Sequence, residues 1–133
     1  MRSSLLAAAA VVLAPAALAQ PARSVVAMES VRPDPAALAN QLADAARRCW
    51  LPKEAAFAGL RLDRIEPGAE PNIYRVIFSD RPKGNAAPRI LRVLAGWLGG
   101  SSTVVVVEQD GIDVKEPVGR DAKQLLKGRP VSC

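Results

Sequence analysis

The sequence predicts a small α+β domain, an antiparallel sheet of about four strands with an N-terminal and a C-terminal helix, held by one disulfide. Three observations carry this expectation. Apolar residues recur at helical spacing between Asp34 and Cys49, alternation at period two and a β-branched run occupy the middle of the chain, and a second helical stripe precedes the terminal Cys133. Helix, strands and helix in that order suit an antiparallel sheet with helices gathered on one face.

The chain opens on a segment that reads as an export signal and not as fold. Arg2 precedes an apolar run from Leu5 to Ala19, which closes on the small-residue pattern Ala17-Leu18-Ala19 before Gln20. That run contains Pro15 and falls short of the roughly 20 apolar residues that a spanning helix needs. The expectation is a signal peptide over residues 1–19 and a mature chain without an integral membrane span, delivered to the periplasm or secreted. Residues 20–33 show no sustained period and read as a flexible lead-in to a single domain over residues 34–133.

Each element has its own local reason. Asp34 is a good N-cap and Pro35 a good first helical residue, because the N–H that proline lacks would have no intrahelical partner. Leu38, Leu42, Ala45, Ala46 and Cys49 then share one helical face, Arg47 and Arg48 complement the dipole in the last turn, and Pro52 limits continuation. Leu60 and Leu62 alternate with Arg61 and Asp63 up to a turn at Glu66-Pro67-Gly68-Ala69-Glu70-Pro71. A strand over Asn72 to Ser79 places Tyr74, Val76 and Phe78 on one face.

Arg89 to Leu98 fits two periods. As a helix, Ile90, Leu91, Leu94, Trp97 and Leu98 share a face; as a strand, the segment leads through Gly99-Gly100-Ser101 into the run Thr103 to Val107. The hairpin-like connection favours the strand. Val118, Ala122, Leu125 and Leu126 form the last helical stripe, stopped by Gly128 and Pro130.

Cys49 and Cys133 are the only cysteines, and an exported chain meets oxidising conditions. Closing so long a loop lowers unfolded-state entropy by an amount worth about 4.5 kcal/mol in the chain-entropy model. A catalytic dithiol is the competing reading, but it normally needs the close Cys-x-x-Cys spacing.

Chemistry is constrained by what is missing. The chain has no histidine, so Ser-His-Asp, Cys-His and His-zinc arrangements cannot be built from it. It holds no Ser-x-x-Lys and no Gly-x-Ser-x-Gly, and Gly96, Gly99 and Gly100 make no phosphate-binding pattern and read as turn residues. Glu108, Asp110 and Asp113 around Gly111 fail as a calcium loop, because Val106 and Pro117 fall where carboxylates are required. No cofactor or metal is expected.

A basic surface is the remaining functional signal. Arg61, Arg64, Arg75, Arg81, Lys83, Arg89 and Arg92 lie across the first three proposed strands against Asp63, Glu66, Glu70 and Asp80. Arg61, Arg75, Arg89 and Arg92 are the candidate surface for an anionic partner, and Trp97 is a candidate binding anchor. Simple solubilisation of the sheet and protection of its edges is the plainer alternative. Nucleic acid fits less well, since export separates the chain from it and stacking aromatics are scarce.

The stretch Leu38 to Leu62, with a helix ending in Arg48-Cys49-Trp50, then Pro52 and alternating apolar residues, resembles the opening of TolA-type C-terminal domains of the cell envelope. The likeness is local, and the later strands and the terminal cysteine depart from that pattern, so no function is carried over.

The functional expectation is a non-catalytic exported domain that binds a protein or an anionic envelope component. The alternatives are an inhibitor presenting the turn Asp80 to Asn85 to an extracytoplasmic enzyme, and a histidine-free hydrolase using paired carboxylates.

Overall fold

The computed structural model describes residues 22–80, 89–98, 102–109 and 113–133. Its elements are β1 (Ala22–Glu29), α1 (Pro35–Ala45), β2 (Leu60–Pro67), β3 (Ile73–Asp80), β4 (Ile90–Leu98), β5 (Ser102–Gln109) and α2 (Lys115–Leu126). The five strands form one sheet in the order β1-β5-β4-β3-β2, with every neighbouring pair antiparallel. The α+β class therefore holds. The expected signal segment over residues 1–19 lies outside the described residues.

The strand count needs correction from about four to five. The extra strand is β1, which falls in the stretch read as a lead-in. It is hard to see locally because a bulge between Val25 and Ala27 breaks its period and Ala27 is its one fully buried side chain. Its ladder with β5 holds it instead. Two further bonds tie down the connection to α1: Thr103 Oγ1 donates to the Val31 carbonyl at 2.7 Å and Trp97 Nε1 to the Pro33 carbonyl at 3.0 Å.

The first helix begins as its sequence dictates. Asp34 accepts a hydrogen bond from the Ala37 N–H at 3.0 Å, and Pro35 opens the helix. Leu38, Ala39, Leu42, Ala43 and Ala45 are buried, and the small alanines let α1 lie close over β2, β3 and β4. The helix then widens into a π turn over Ala46–Trp50, where the Leu51 N–H reaches the Ala46 carbonyl, and a last turn spans Leu51–Lys53. Cys49 and Trp50 both point inward from this widened turn.

Trp50, Phe57 and Phe78 are fully buried and pack in tilted and edge-to-face pairs at centroid distances of 5.4, 5.5 and 6.4 Å. The Trp50 indole donates to Asp121 Oδ2 at 2.6 Å, which joins the end of the first helix to α2. Asp121 is itself buried, and Arg120 Nε donates to its other oxygen at 3.0 Å before reaching Glu54 at 3.0 Å. These bonds hold the Arg120 guanidinium further above its ordinary range, with those to Asp121 and Glu54 as the leading causes. Cys49 and Cys133 form the predicted disulfide, with Cα atoms 5.3 Å apart.

Helix α2 covers β1 and β5, so the two helices share one face of the sheet. Gly119 makes that close approach feasible, since a Cβ there would lie 3.1 Å from the Val26 carbonyl oxygen. Gly96 corrects a second expectation: it lies inside β4 and not in a turn. The β2–β3 turn crosses directly above it, and a Cβ at Gly96 would meet Ile73 Cγ1 at 2.7 Å and Ile73 Cα at 2.9 Å. No helix among the described residues is long and apolar enough to cross a membrane.

Two outcomes follow for stability. Gly96→Ala is expected to cost on the order of 1–3 kcal/mol through overpacking against backbone, read as a lowered thermal midpoint. Replacing Cys49 and Cys133 together by serine is expected to cost roughly 2–5 kcal/mol, measured by urea unfolding under oxidising conditions.

Candidate functional site

With both helices on one face, the pleat decides what the other face displays. Along β4, Leu91, Val93 and Ala95 are buried beneath the helices, which turns Arg92 and Leu94 outward. The pairing register then lines up two outward rows. One runs Arg64, Ile77, Arg92, Glu108, Arg23 from β2 to β1; the next runs Glu66, Arg75, Leu94, Val106, Val25. Charge dominates the first row. Apolar residues dominate the β4, β5 and β1 positions of the second.

The structure thus brings Arg61, Arg75 and Arg92 of the candidate surface onto one face and adds Arg64 and Arg23 to them. Arg89 stands apart. It precedes β4 and closes on Asp80, with its Nε 2.6 Å and its backbone N 2.7 Å from the Asp80 carboxylate. Trp97 is half-buried, engaged with Pro33, and covered by the Arg32 guanidinium 4.2 Å from the ring centroid. Apart from Asp80, the turn Asp80 to Asn85 lies outside the described residues, as does Asp110.

Every arginine on this face meets a carboxylate, yet the pairs are unequal. Arg61 lies 2.9 Å from Asp63, which also accepts from the Ser79 hydroxyl. Glu66 serves two arginines, Arg64 at 2.8 Å and Arg75 at 3.4 Å; Glu108 likewise serves Arg23 at 2.8 Å and Arg92 at 3.3 Å. The outer arginines hold the short contacts. Arg75 and Arg92, diagonal neighbours on adjacent strands, hold the long ones, so the centre of the face carries surplus positive charge.

Ile77 is buried between these residues although no helix among the described residues covers it, because the adjacent Arg64 and Arg92 flank it. Beside the arginines lies a groove of about 480 Å³, floored by Ile73, Leu94, Val104 and Val106 and walled by the β2–β3 turn at Gly68–Glu70. That volume falls in the range of small-molecule sites. A second concavity of about 400 Å³ spans the charged end of the sheet, and Arg75 and Arg92 line both.

Two carboxyls at this charged end are shifted downward by their arginine partners. The Glu66 carboxyl is held below its ordinary range chiefly by its hydrogen bond from Arg64, and the Asp80 carboxyl chiefly by the side-chain bond from Arg89. A general acid working near neutral pH needs the opposite shift. Among the described residues, no group of three metal-ligating side chains converges.

Sequence reading missed the apolar groove. Leu94, Val104, Val106 and Val25 come from three strands, and only β1 places Val25 beside Val106. The exposure of Val25 and Met28, 61% and 57%, belongs to this same face. Comparison with protein-family models, with curated proteins and with solved structures finds no match.

The lowered carboxyl pKa values define a pH expectation. A depressed folded-state pKa contributes stability above the unfolded value, and that contribution is lost as pH falls through the folded value. Asp80 and Glu66 are therefore expected to titrate below 3.8 and 4.5 respectively. Arg89→Ala is expected to raise the Asp80 midpoint and Arg64→Ala that of Glu66, each followed by carbonyl-carbon NMR.

Proposed function

We propose that this is an exported, non-catalytic domain that binds an anionic component of the cell envelope on its uncovered sheet face. The observation that carries the reading is the charge pattern of that face. Arg23, Arg61, Arg64, Arg75 and Arg92 stand there with Asp63, Glu66 and Glu108, and the two central arginines are the least neutralised. A positive field over an exposed surface raises the local concentration of anionic partners and speeds their capture. Arginine also suits the task chemically, because its planar fork matches carboxylate and phosphate groups with paired hydrogen bonds.

Two further observations support binding over chemistry. The carboxylates of the face are tied to arginines, and Glu66 among them is shifted away from the range useful for proton donation. The disulfide is compatible with an oxidising compartment and so with export.

The test is retention on an immobilised anionic polysaccharide as ionic strength is raised. The protein is expected to bind at low salt and to elute as screening shortens the range of its field. Reversing Arg61, Arg75 and Arg92 to glutamate is expected to abolish retention, with circular dichroism used to check the fold. Unchanged elution of the triple variant rejects the reading.

A further inference from the structure

We propose that the groove beside Arg75 and Arg92 is a binding site for a single-chain fatty acid, with the carboxylate on the two guanidinium groups and the hydrocarbon chain on the apolar floor. The proposal rests on the anionic-face reading above and names its ligand class.

Three features of the groove select that chemistry. The first is an unused donor. Arg75 Nε is buried without a hydrogen-bond partner among the described residues, and its Nη2 makes only long contacts of 3.4 Å to the Pro67 carbonyl and to Glu66. An unpaired donor on a buried cationic atom is costly and rare in native structures. Arg92, diagonal to Arg75 across β3 and β4, has a contact of 3.3 Å to a glutamate it shares with Arg23. Two like charges in this arrangement repel, and one anion between the guanidinium groups offsets that repulsion.

The second feature is the charge balance of the lining. Arg23, Arg75 and Arg92 face Glu70 and Glu108, which leaves the groove positive by one among these groups. A monoanionic head group matches that surplus, whereas a dianion exceeds it. The third is the floor. From Arg92 the groove passes Leu94 and continues across the strands over Val106 to Val25, about 10 Å at the usual strand spacing, with Val104 alongside. The trough closes at the Gly96 end of β4, where the β2–β3 turn crosses above that residue. The polar end and the apolar trough are thus continuous, as an unbranched amphiphile requires.

Binding of dodecanoate, dodecanol and acetate to the protein, measured by calorimetry and by NMR shift mapping, tests the assignment. Dodecanoate is expected to saturate one site with shifts centred on Leu94, Val104 and Val106. Dodecanol is expected to bind at least ~10-fold more weakly, the loss typical of a charge-assisted hydrogen bond, and acetate not measurably. Arg75→Gln with Arg92→Gln is expected to bring dodecanoate down to the level of dodecanol, and Val106→Asp to remove both.

Equal affinity for dodecanoate and dodecanol overturns the head-group assignment, and so does a double variant that binds dodecanoate as the parent does. If Val106→Asp does not fold, the ligand series on the unmodified protein decides. Failure to bind dodecanoate with arginine-dependent polysaccharide retention intact overturns the fatty-acid site alone. Loss of both overturns the anionic-face reading as well. A concentration-dependent dimer that buries Leu94 and excludes dodecanoate assigns the groove to a second copy of the chain and also overturns the proposal.

Discussion

The buried hydrogen bond between the Trp50 indole and Asp121 constrains the rest of the molecule. A carboxylate taken out of water is expensive unless its oxygens are occupied, and removing one partner leaves that cost uncompensated. Asp121 meets the requirement with Trp50 on one oxygen and Arg120 on the other, and Arg120 extends the chain of contacts to Glu54. These residues come from the end of the first helix, the turn after it, and α2. Their mutual satisfaction requires the two helices to lie side by side, and the adjacent Cys49–Cys133 bridge ties the chain's end to the same junction.

Placing both helices on one face leaves the other without a layer among the described residues. A bare sheet of five strands would expose a broad apolar surface if its outward residues followed the inward ones. The outward rows instead divide into a charged end, where arginines flank Ile77, and a shallow apolar trough beside it. Two glutamates shared among four arginines keep the charged end ordered and still leave the central pair loosely held. The one-sided packing that includes the Trp50–Asp121 junction is what leaves these charged and apolar rows exposed.

Much of the charged half is legible from the chain alone. Arg61, Arg75 and Arg92 alternate with residues that are plainly core-forming, so period two already assigns them outward once the strands are accepted. Arg89 and Trp97 show the limit of that logic. Each lies at or near a strand end, where a local partner governs placement: Asp80 captures Arg89, and Pro33 with Arg32 captures Trp97. The apolar half is illegible for a different reason. Leu94, Val104 and Val106 look like core residues in any strand reading, and only the covered face shows that their neighbours fill that role.

By itself the sequence determined the local elements: a capped amphipathic helix ending at Cys49, alternating strands from Leu60 to Val107, a terminal helical stripe and a pair of cysteines. Those depend on spacing, caps and prolines that act within a few residues. The tertiary structure alone decided that Ala22–Glu29 is a strand, since its ladder to β5 and not its own side-chain pattern holds it there. It also decided that Gly96 underlies a turn some twenty residues earlier in the chain, and that Arg75 and Arg92 become diagonal neighbours beside an apolar trough. Each is a relation between distant segments, set by register across strands, and no local period carries that information.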